Sequence, residues 1–302
     1  MLRTVFMGTP DIAVPTLRCL AALTQVLCVV TQPDRPAGRG HHVQPSPVKQ
    51  AALELGLSVW QPDSMKGQAL APQLQDADLF VVLAYGELLR QDILDLPRGG
   101  CINLHASLLP RWRGASPLQA VLRAGESETG VTVMRMVRGL DAGPIYFSER
   151  LPLTEQTTLP ELHDAMAALS AVAIKRFLDS YPNIMPVAQV ESLVTTCRKL
   201  LPEDGHLHFN KPAVEIARWV RAYTPAPGCW AFANNERMRI LSISPVHDAP
   251  PMTMGQVLAL NGRLLIGCVD GACAIHRLQP AGKRAMDVAD YLNGHQPPAQ
   301  LT

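Results

Sequence analysis

Short unbroken apolar runs separated by helical segments constrain this chain more than any other feature. Residues 2–7, Val26–Val30, 58–60 and 78–83 read as strands that are apolar on both faces. A strand of that kind has to be buried between two layers. Between these runs lie a helix starting near Pro15, a residue suited to a first helical turn, a periodic segment over 47–56, and a further helix before residue 78. A strand at 100–105, a helix near 116–124, strands near 130–136 and 145–152, and an Ala/Leu-rich helix over 158–180 continue the series. The alternation predicts an α/β unit, a Rossmann-like, mostly parallel sheet covered on both faces.

After Pro182 the texture changes. Residues 183–210 carry Pro, Ser and Thr with only short extended pieces, and read as a linker rather than a core. Lys211 to Tyr223 reads as one amphipathic helix, with Asn210 as its N-cap and Pro212 in its first turn. Short β-like runs follow at 229–232, 237–244, 255–260, 263–269 and 272–278, and Asn261-Gly262 and Asp270-Gly271 carry the signature of type I′ hairpins. Several short strands joined by tight turns predict a small OB-like β-barrel. The expected division is a catalytic domain over 1–186, a linker over 187–204 and the OB-like domain over 205–302.

A chain of 302 residues accommodates two such domains, and 47% hydrophobic with 18% charged residues describes an ordinary soluble protein. A net charge of +1 gives no support for nucleic-acid binding on composition alone. Seven cysteines, odd in number and never spaced C-x-x-C, fit free thiols in a reducing cytoplasm. The N-terminal apolar run is too short for a signal peptide, and no stretch approaches the roughly 18 apolar residues of a membrane span. A cytoplasmic protein without membrane partners, and a monomer, is expected. Gly8-Thr9-Pro10 follows the first strand but lacks the later glycines of a dinucleotide fingerprint, and no phosphate-binding loop of the ATPase type is present. The pairs His41-His42 and His206-x-His208 have no Cys or carboxylate at ligand spacing, so both read as solvated and no metal is expected.

The chemistry concentrates in two places. In Cys101-Ile102-Asn103-Leu104-His105, strand alternation puts Asn103 and His105 on one face, and Leu109-Pro110 ends the strand, so both lie near its carboxyl end. In open α/β sheets that edge is where ligands bind. Asp141 lies in the glycine-flanked turn Gly139-Leu140-Asp141-Ala142-Gly143, whose backbone can approach a ligand closely. Ser107 has no nucleophile elbow and reads as a cap or ligand contact. The second place is the loop over 31–47, where prolines at 33, 36, 45 and 47 and glycines at 38 and 40 exclude regular structure. Loops this long inside a domain are usually functional or mobile; Arg35 and Arg39 make this one a candidate phosphate contact, the alternative being a solvated insertion.

With these residues the chain resembles the 10-formyltetrahydrofolate-dependent formyltransferases. The matching pieces begin with Phe6 to Asp11, the loop Gln32 to Gly40, Pro45 to Lys49, and Ala84-Tyr85-Gly86. They continue with Asn103 to Ala115, Glu128 to Thr132, Gly139 to Gly143 and Leu278 to Lys283. They run in the family's order over nearly the whole chain, and the loop from Gln32 to Gly40 is similar to the branch that formylates methionyl-tRNA. The resemblance implies formyl transfer from 10-formyltetrahydrofolate to the α-amine of initiator methionyl-tRNA, in translation initiation. It implies Asn103, His105 and Asp141 as catalytic residues, Ser107, Leu108, Leu109 and Pro110 as the folate-binding segment, and Arg35, Arg39 and Lys283 as tRNA contacts. Physics assigns roles to the first three: Asn103 and His105 as donors to an oxyanion, Asp141 as orienter of His105 and proton relay.

The pattern departs from the family at three points. His41-His42 stand where the tRNA branch has basic residues, Thr224-Pro225-Ala226-Pro227 lacks a large aromatic, and Thr196-Cys197 with Pro202 to Gly205 is similar to enzymes acting on small amines. From Asp204 onward nine Lys and Arg face seven Asp and Glu. Two alternatives therefore stand beside the tRNA reading. One is the same chemistry on a small amine, an amino-sugar nucleotide or hydroxyornithine; the other is a folate-binding module without activity.

Overall fold

The computed structural model describes residues 1–37, 42–65 and 72–302. The chain packs into two compact units. The first holds Met1–Pro117, Glu128–Pro152 and His163–Cys197, and the second holds Leu118–Ser127, Leu153–Leu162 and Arg198–Thr302.

Strands of the first unit are, in chain order, β1 (Arg3–Gly8), β2 (Gln25–Val30), β3 (Arg35–Ala37), β4 (His42–Gln44), β5 (Val59–Trp60), β6 (Leu79–Leu83), β7 (Cys101–His105), β8 (Arg113–Gly114), β9 (Glu128–Arg135), β10 (Ile145–Pro152) and β11 (Thr196–Cys197). Seven of them form one sheet in the order β10-β9-β7-β6-β1-β2-β5. The five strands from β7 to β5 run parallel, while β9 and β10 add an antiparallel edge. The central strands have the apolar composition that burial on both faces demands: Val5, Phe6 and Met7 in β1 and Leu79, Phe80 and Val81 in β6 are fully buried. Helix α1 (Val14–Leu23) begins with Pro15 in its first turn. Helix α2 (Pro47–Glu54) is capped by Ser46, whose hydroxyl accepts from the Lys49 N–H at 3.1 Å. The fold is therefore Rossmann-like, with the strand carrying Asn103 and His105 between a parallel and an antiparallel neighbour.

The loop over 31–47 departs from expectation. β3 and β4 pair antiparallel, with Arg35 opposite Gln44 and Pro36 opposite Val43. Pro36 can stand in such a two-stranded ribbon because each strand has only one partner, leaving a side that needs no N–H. Arg39 lies outside the described residues, as do Gly38, Gly40 and His41.

In the second unit, β12 (Cys229–Ala233), β13 (Glu236–Val246), β14 (Val257–Leu260), β15 (Arg263–Cys268) and β16 (Gly271–Gln279) form an antiparallel sheet ordered β12-β13-β16-β15-β14, with β17 (Met286–Asp287) beside β16. Residues 299–302 cover both of its edges. Val257 N–H donates to Ala299 O at 2.9 Å, and Phe232 and Thr302 exchange backbone bonds of 2.6 and 3.0 Å. Part of each edge that would otherwise be open to pairing is thus satisfied within the chain. Asn261-Gly262 does form the type I′ turn, with φ of 51° and 74°, as does Asn234-Asn235, with 50° and 67°.

The second hairpin signal, Asp270-Gly271, is not of this type. Cys268 pairs with Gly271, so the two loop residues are Val269 and Asp270. The Asp270 carboxylate accepts the Ala213 N–H at 2.8 Å, at the start of the helix Ala213–Tyr223. That helix is therefore capped from 57 residues away. Asn210 does not cap it, because the helix begins two residues later than the sequence suggests and Pro212 occupies the cap position. Of His206-x-His208, His208 is exposed, while His206 is half-buried and stacks flat on Trp230 with ring centroids 4.2 Å apart. Burial, aided by His206, holds the His208 imidazole below its ordinary range. Among the described residues no helix is long and apolar enough to cross a membrane.

Candidate active site

Strand β7 presents its two polar residues as alternation predicts. Asn103 stands opposite Val82 on one side and Met134 on the other, and His105 stands opposite Thr132. His105 is buried at 5% exposure, whereas Asn103 is half-buried and its amide makes no hydrogen bond among the described residues. A buried imidazole needs partners for both nitrogens. Nε2 lies 2.9 Å from the Trp112 carbonyl, which can only accept, so Nε2 carries the hydrogen. Nδ1 faces Asp141 Oδ2 at 3.6 Å.

The structure thus brings Asn103, His105 and Asp141 together at one end of the sheet from two separate segments. Asp141 adopts φ 47° and Trp112 φ 62°, a left-handed region that non-glycine residues seldom occupy. The two flank the same imidazole, one through its carboxylate and one through its carbonyl. The Asp141 carboxylate is fixed by the Gly114 N–H at 2.8 Å. Gly143 closes the turn against β9, and a Cβ there would sit 1.7 Å from Arg135 O.

The segment after His105 is held by Thr132. Its hydroxyl donates to Ser107 O at 2.7 Å and accepts the Leu109 N–H at 3.1 Å. Ser107 is fully buried and its hydroxyl donates to Arg111 O at 2.7 Å, which directs it along the loop. Leu109 is buried, and Leu108 and Pro110 are half-buried.

Segment 187–197 fastens this loop. Val187 and Ile145 exchange backbone bonds of 2.7 and 2.8 Å, and β11 pairs in parallel with β8. The Trp112 N–H donates to Thr195 Oγ1 at 2.9 Å, and the Cys197 thiol donates to Trp112 O at 3.4 Å. Burial pushes the Cys197 thiol above its ordinary range, so it stands there as a neutral donor and not as a nucleophile. Gln189 donates to the carbonyls of Asp141 and Gly143, and the buried Arg113 donates to Gln189. Thr132, Gln189, Arg113 and Thr195 were not singled out by sequence reasoning. Thr132 had a signal, since a hydroxyl in a buried strand must find a partner; Gln189 had none.

Of the proposed tRNA contacts, Arg39 lies outside the described residues. Arg35 is exposed on β3 and donates to Gln32 Oε1 at 3.2 Å. Beside it, hydrogen bonds from Gln61 and Lys49 hold the Asp34 carboxyl below its usual range. Lys283 is exposed in the second unit, where its carbonyl accepts from Gln279 at 2.9 Å. No group of three His, Cys, Asp or Glu side chains among the described residues is placed to hold a metal.

Comparison with known proteins places this geometry in context. Residues 4–178 match the family model described as formyl transferase, and residues 199–296 match the formyl transferase C-terminal domain. The chain is 42% identical over 300 residues to the methionyl-tRNA formyltransferase of Thiobacillus denitrificans, covering 97% of this chain and 96% of that one. It is 44% identical over 303 residues to that of Xanthomonas axonopodis pv. citri, covering 98% of each. Among solved structures, it superposes on an N-formyltransferase from Helicobacter canadensis in complex with folinic acid and dTDP-3-aminofucose. The TM-score is 0.70 at 17% identity, with 93% of this chain and all of that one covered. It also resembles HypX from Aquifex aeolicus in complex with tetrahydrofolic acid, with a TM-score of 0.63 at 17% identity, covering 96% of this chain and 47% of that one.

Proposed function

The chain belongs to the formyl transferase family, and from that premise we propose that it transfers the formyl group of 10-formyltetrahydrofolate to the α-amine of initiator methionyl-tRNA. One observation carries the acceptor: near-full-length similarity to proteins named for that reaction, through both domains. It disfavours the small-amine alternative, whose likeness is one of fold alone. The reading without activity is disfavoured by the convergence of Asn103, His105 and Asp141.

The reaction needs three things from the protein. The acceptor nitrogen attacks the formyl carbon, a C–N bond forms, and the carbonyl electron pair moves onto oxygen. Collapse of that adduct breaks the bond to the folate nitrogen, which leaves with the proton the amine has given up. No covalent enzyme intermediate is required, so positioning, oxyanion stabilisation and one proton transfer make up the catalysis.

Asn103, with amide donors engaged by no described residue, is assigned to the oxyanion. His105 keeps its Nε2–H on Trp112 O and, at Nδ1 on the side of Asp141, takes the proton from the amine and hands it on to the departing folate nitrogen. The Asp141 carboxylate offsets the charge of the imidazolium that forms, and the positive ring adds to oxyanion stabilisation. Leu108, Leu109 and Pro110 are assigned to the folate, together with the backbone at Ser107, whose own hydroxyl is already engaged. Arg35, Arg39 and Lys283 are assigned to tRNA phosphates.

The test is a transfer assay with labelled 10-formyltetrahydrofolate offered to charged initiator Met-tRNA, an amino-sugar nucleotide and hydroxyornithine. Label should appear on Met-tRNA, and neither small amine should compete. Label on a small amine with none on Met-tRNA overturns the reading, and transfer from a 5-formyl but not a 10-formyl donor overturns the donor assignment.

A further inference from the structure

Gln189 is the one half-buried residue in a stretch of otherwise exposed side chains, with Val187, Val190 and Leu193 all more than half exposed. Its amide uses its whole hydrogen-bonding capacity. Oε1 accepts twice from Arg113, from Nε at 3.1 Å and Nη2 at 2.9 Å. Nε2 donates twice, to Asp141 O at 2.8 Å and Gly143 O at 2.7 Å. The orientation of an amide is settled only by its partners, and here two donors on one side and two acceptors on the other leave a single choice.

Resting on the formyl-transfer reading, we propose that Gln189 is a positioning residue for the reaction, fixing the Asp141 turn against His105, with Arg113 as its anchor. The two carbonyls it grips lie on either side of Ala142, in the turn where Asp141 adopts a left-handed backbone. A turn carrying such a residue persists only where its surroundings over-determine it. Gln189 holds that turn from the backbone side, and the Gly114 N–H holds it from the carboxylate side. Both supports lead back to β8: Arg113 carries the amide and Gly114, its neighbour, carries the carboxylate.

Arg113 is itself fixed. Its side chain is 9% exposed, and besides Gln189 it meets Glu191 at 2.8 Å. A buried guanidinium is costly unless its donors are used, and the segment 187–197 supplies both acceptors. The chain of contacts runs from Glu191 through Arg113 and Gln189 to the turn of Asp141, and from Asp141 to His105. None of the first three needs to touch a substrate for the reaction to depend on them.

Gln189→Glu tests this, since it keeps shape and the bond to Arg113 but sets an acceptor against two carbonyls. Single-turnover formylation of Met-tRNA should fall by about 10- to 100-fold, as misplacing a catalytic group by an ångström does. Tetrahydrofolate affinity, measured by calorimetry, should stay within twofold. The 15N shifts of the His105 ring should change, because Asp141 has moved from Nδ1. Gln189→Asn, one methylene short, should behave alike. Unchanged turnover and unchanged His105 ring shifts in Gln189→Glu would overturn the proposal. So would a rate loss matched by equal losses of folate affinity and thermal stability, which marks a purely structural role. If the wild type formylates no Met-tRNA, the functional reading fails, and the ring shifts still decide whether Gln189 sets the Asp141–His105 geometry.

Discussion

Gly139 and Gly143 bracket the same five-residue turn, yet the structure gives them opposite tolerance for a methyl group. At Gly139 an added Cβ meets only the Ala142 Cβ, at 3.0 Å. At Gly143 it would lie 1.7 Å from Arg135 O and 2.9 Å from Arg135 C. Reaching even 3.0 Å requires the two backbones to part by about 1.3 Å. Arg135 cannot readily yield, since it stands opposite Ile102 and its N–H donates to Pro144 O at 2.9 Å. The turn has to move, and with it Asp141, which is held 2.8 Å from the Gly114 N–H and 3.6 Å from His105 Nδ1. Overpacking of this kind costs about 1–3 kcal/mol, on the order of 2–4 °C of Tm per kcal/mol for a unit of this size. Displacement of a catalytic carboxylate by an ångström costs roughly 100-fold in rate. Gly143→Ala should therefore lose about two orders of magnitude in single-turnover formylation while keeping native circular dichroism, and Gly139→Ala should stay within about threefold of wild type. Equal behaviour of the two variants, or a fully active Gly143→Ala, refutes the claim that turn placement governs the chemistry.

Four other outcomes follow from the same geometry. Asn103→Ala should lower kcat by about 100- to 1,000-fold with folate affinity retained, the loss typical of one oxyanion donor, read by comparing turnover with calorimetry. Asp270→Ala should destabilise the second unit by about 1 kcal/mol in chemical denaturation, while Asn210→Ala should change little. Hydrogen bonds from Arg198 and from the Leu201 N–H hold the Asp204 carboxyl below its usual range. Because its folded pKa is depressed, the stability it contributes is complete above the ordinary Asp value of about 3.9 and is lost as pH falls through the folded value. Asp204→Asn should flatten that acid limb in thermal melts. Arg35→Ala and Arg39→Ala should each reduce the salt dependence of kcat/KM on Met-tRNA by about one in the log–log slope, leaving folate affinity unchanged.

Much of the fold and site was legible because local rules suffice for it. Strand alternation alone put Asn103 and His105 on one face, and buried apolar runs such as Leu79–Leu83 announced the parallel sheet. What escaped depends on partners distant in sequence. The cap of the helix Ala213–Tyr223 comes from Asp270, which no local N-cap rule can find. Proline and glycine content argued against strands near residue 36, but a two-stranded ribbon leaves room for a residue without an N–H. Gln189 sits among exposed residues in a segment with the texture of a linker, and its importance exists only once Arg113 and the Asp141 turn are brought beside it.

Asp141 is proposed to act on formyl transfer through His105. The most direct test is single-turnover formylation of initiator Met-tRNA by wild type, His105→Ala, Asp141→Ala and the double variant. Expected are transfer by wild type, a loss of at least about 100-fold in each single variant, and a double variant scarcely slower than His105→Ala, as for residues that act as a unit. A double variant whose loss equals the product of the single losses, or a wild type that places no formyl group on Met-tRNA, would contradict it.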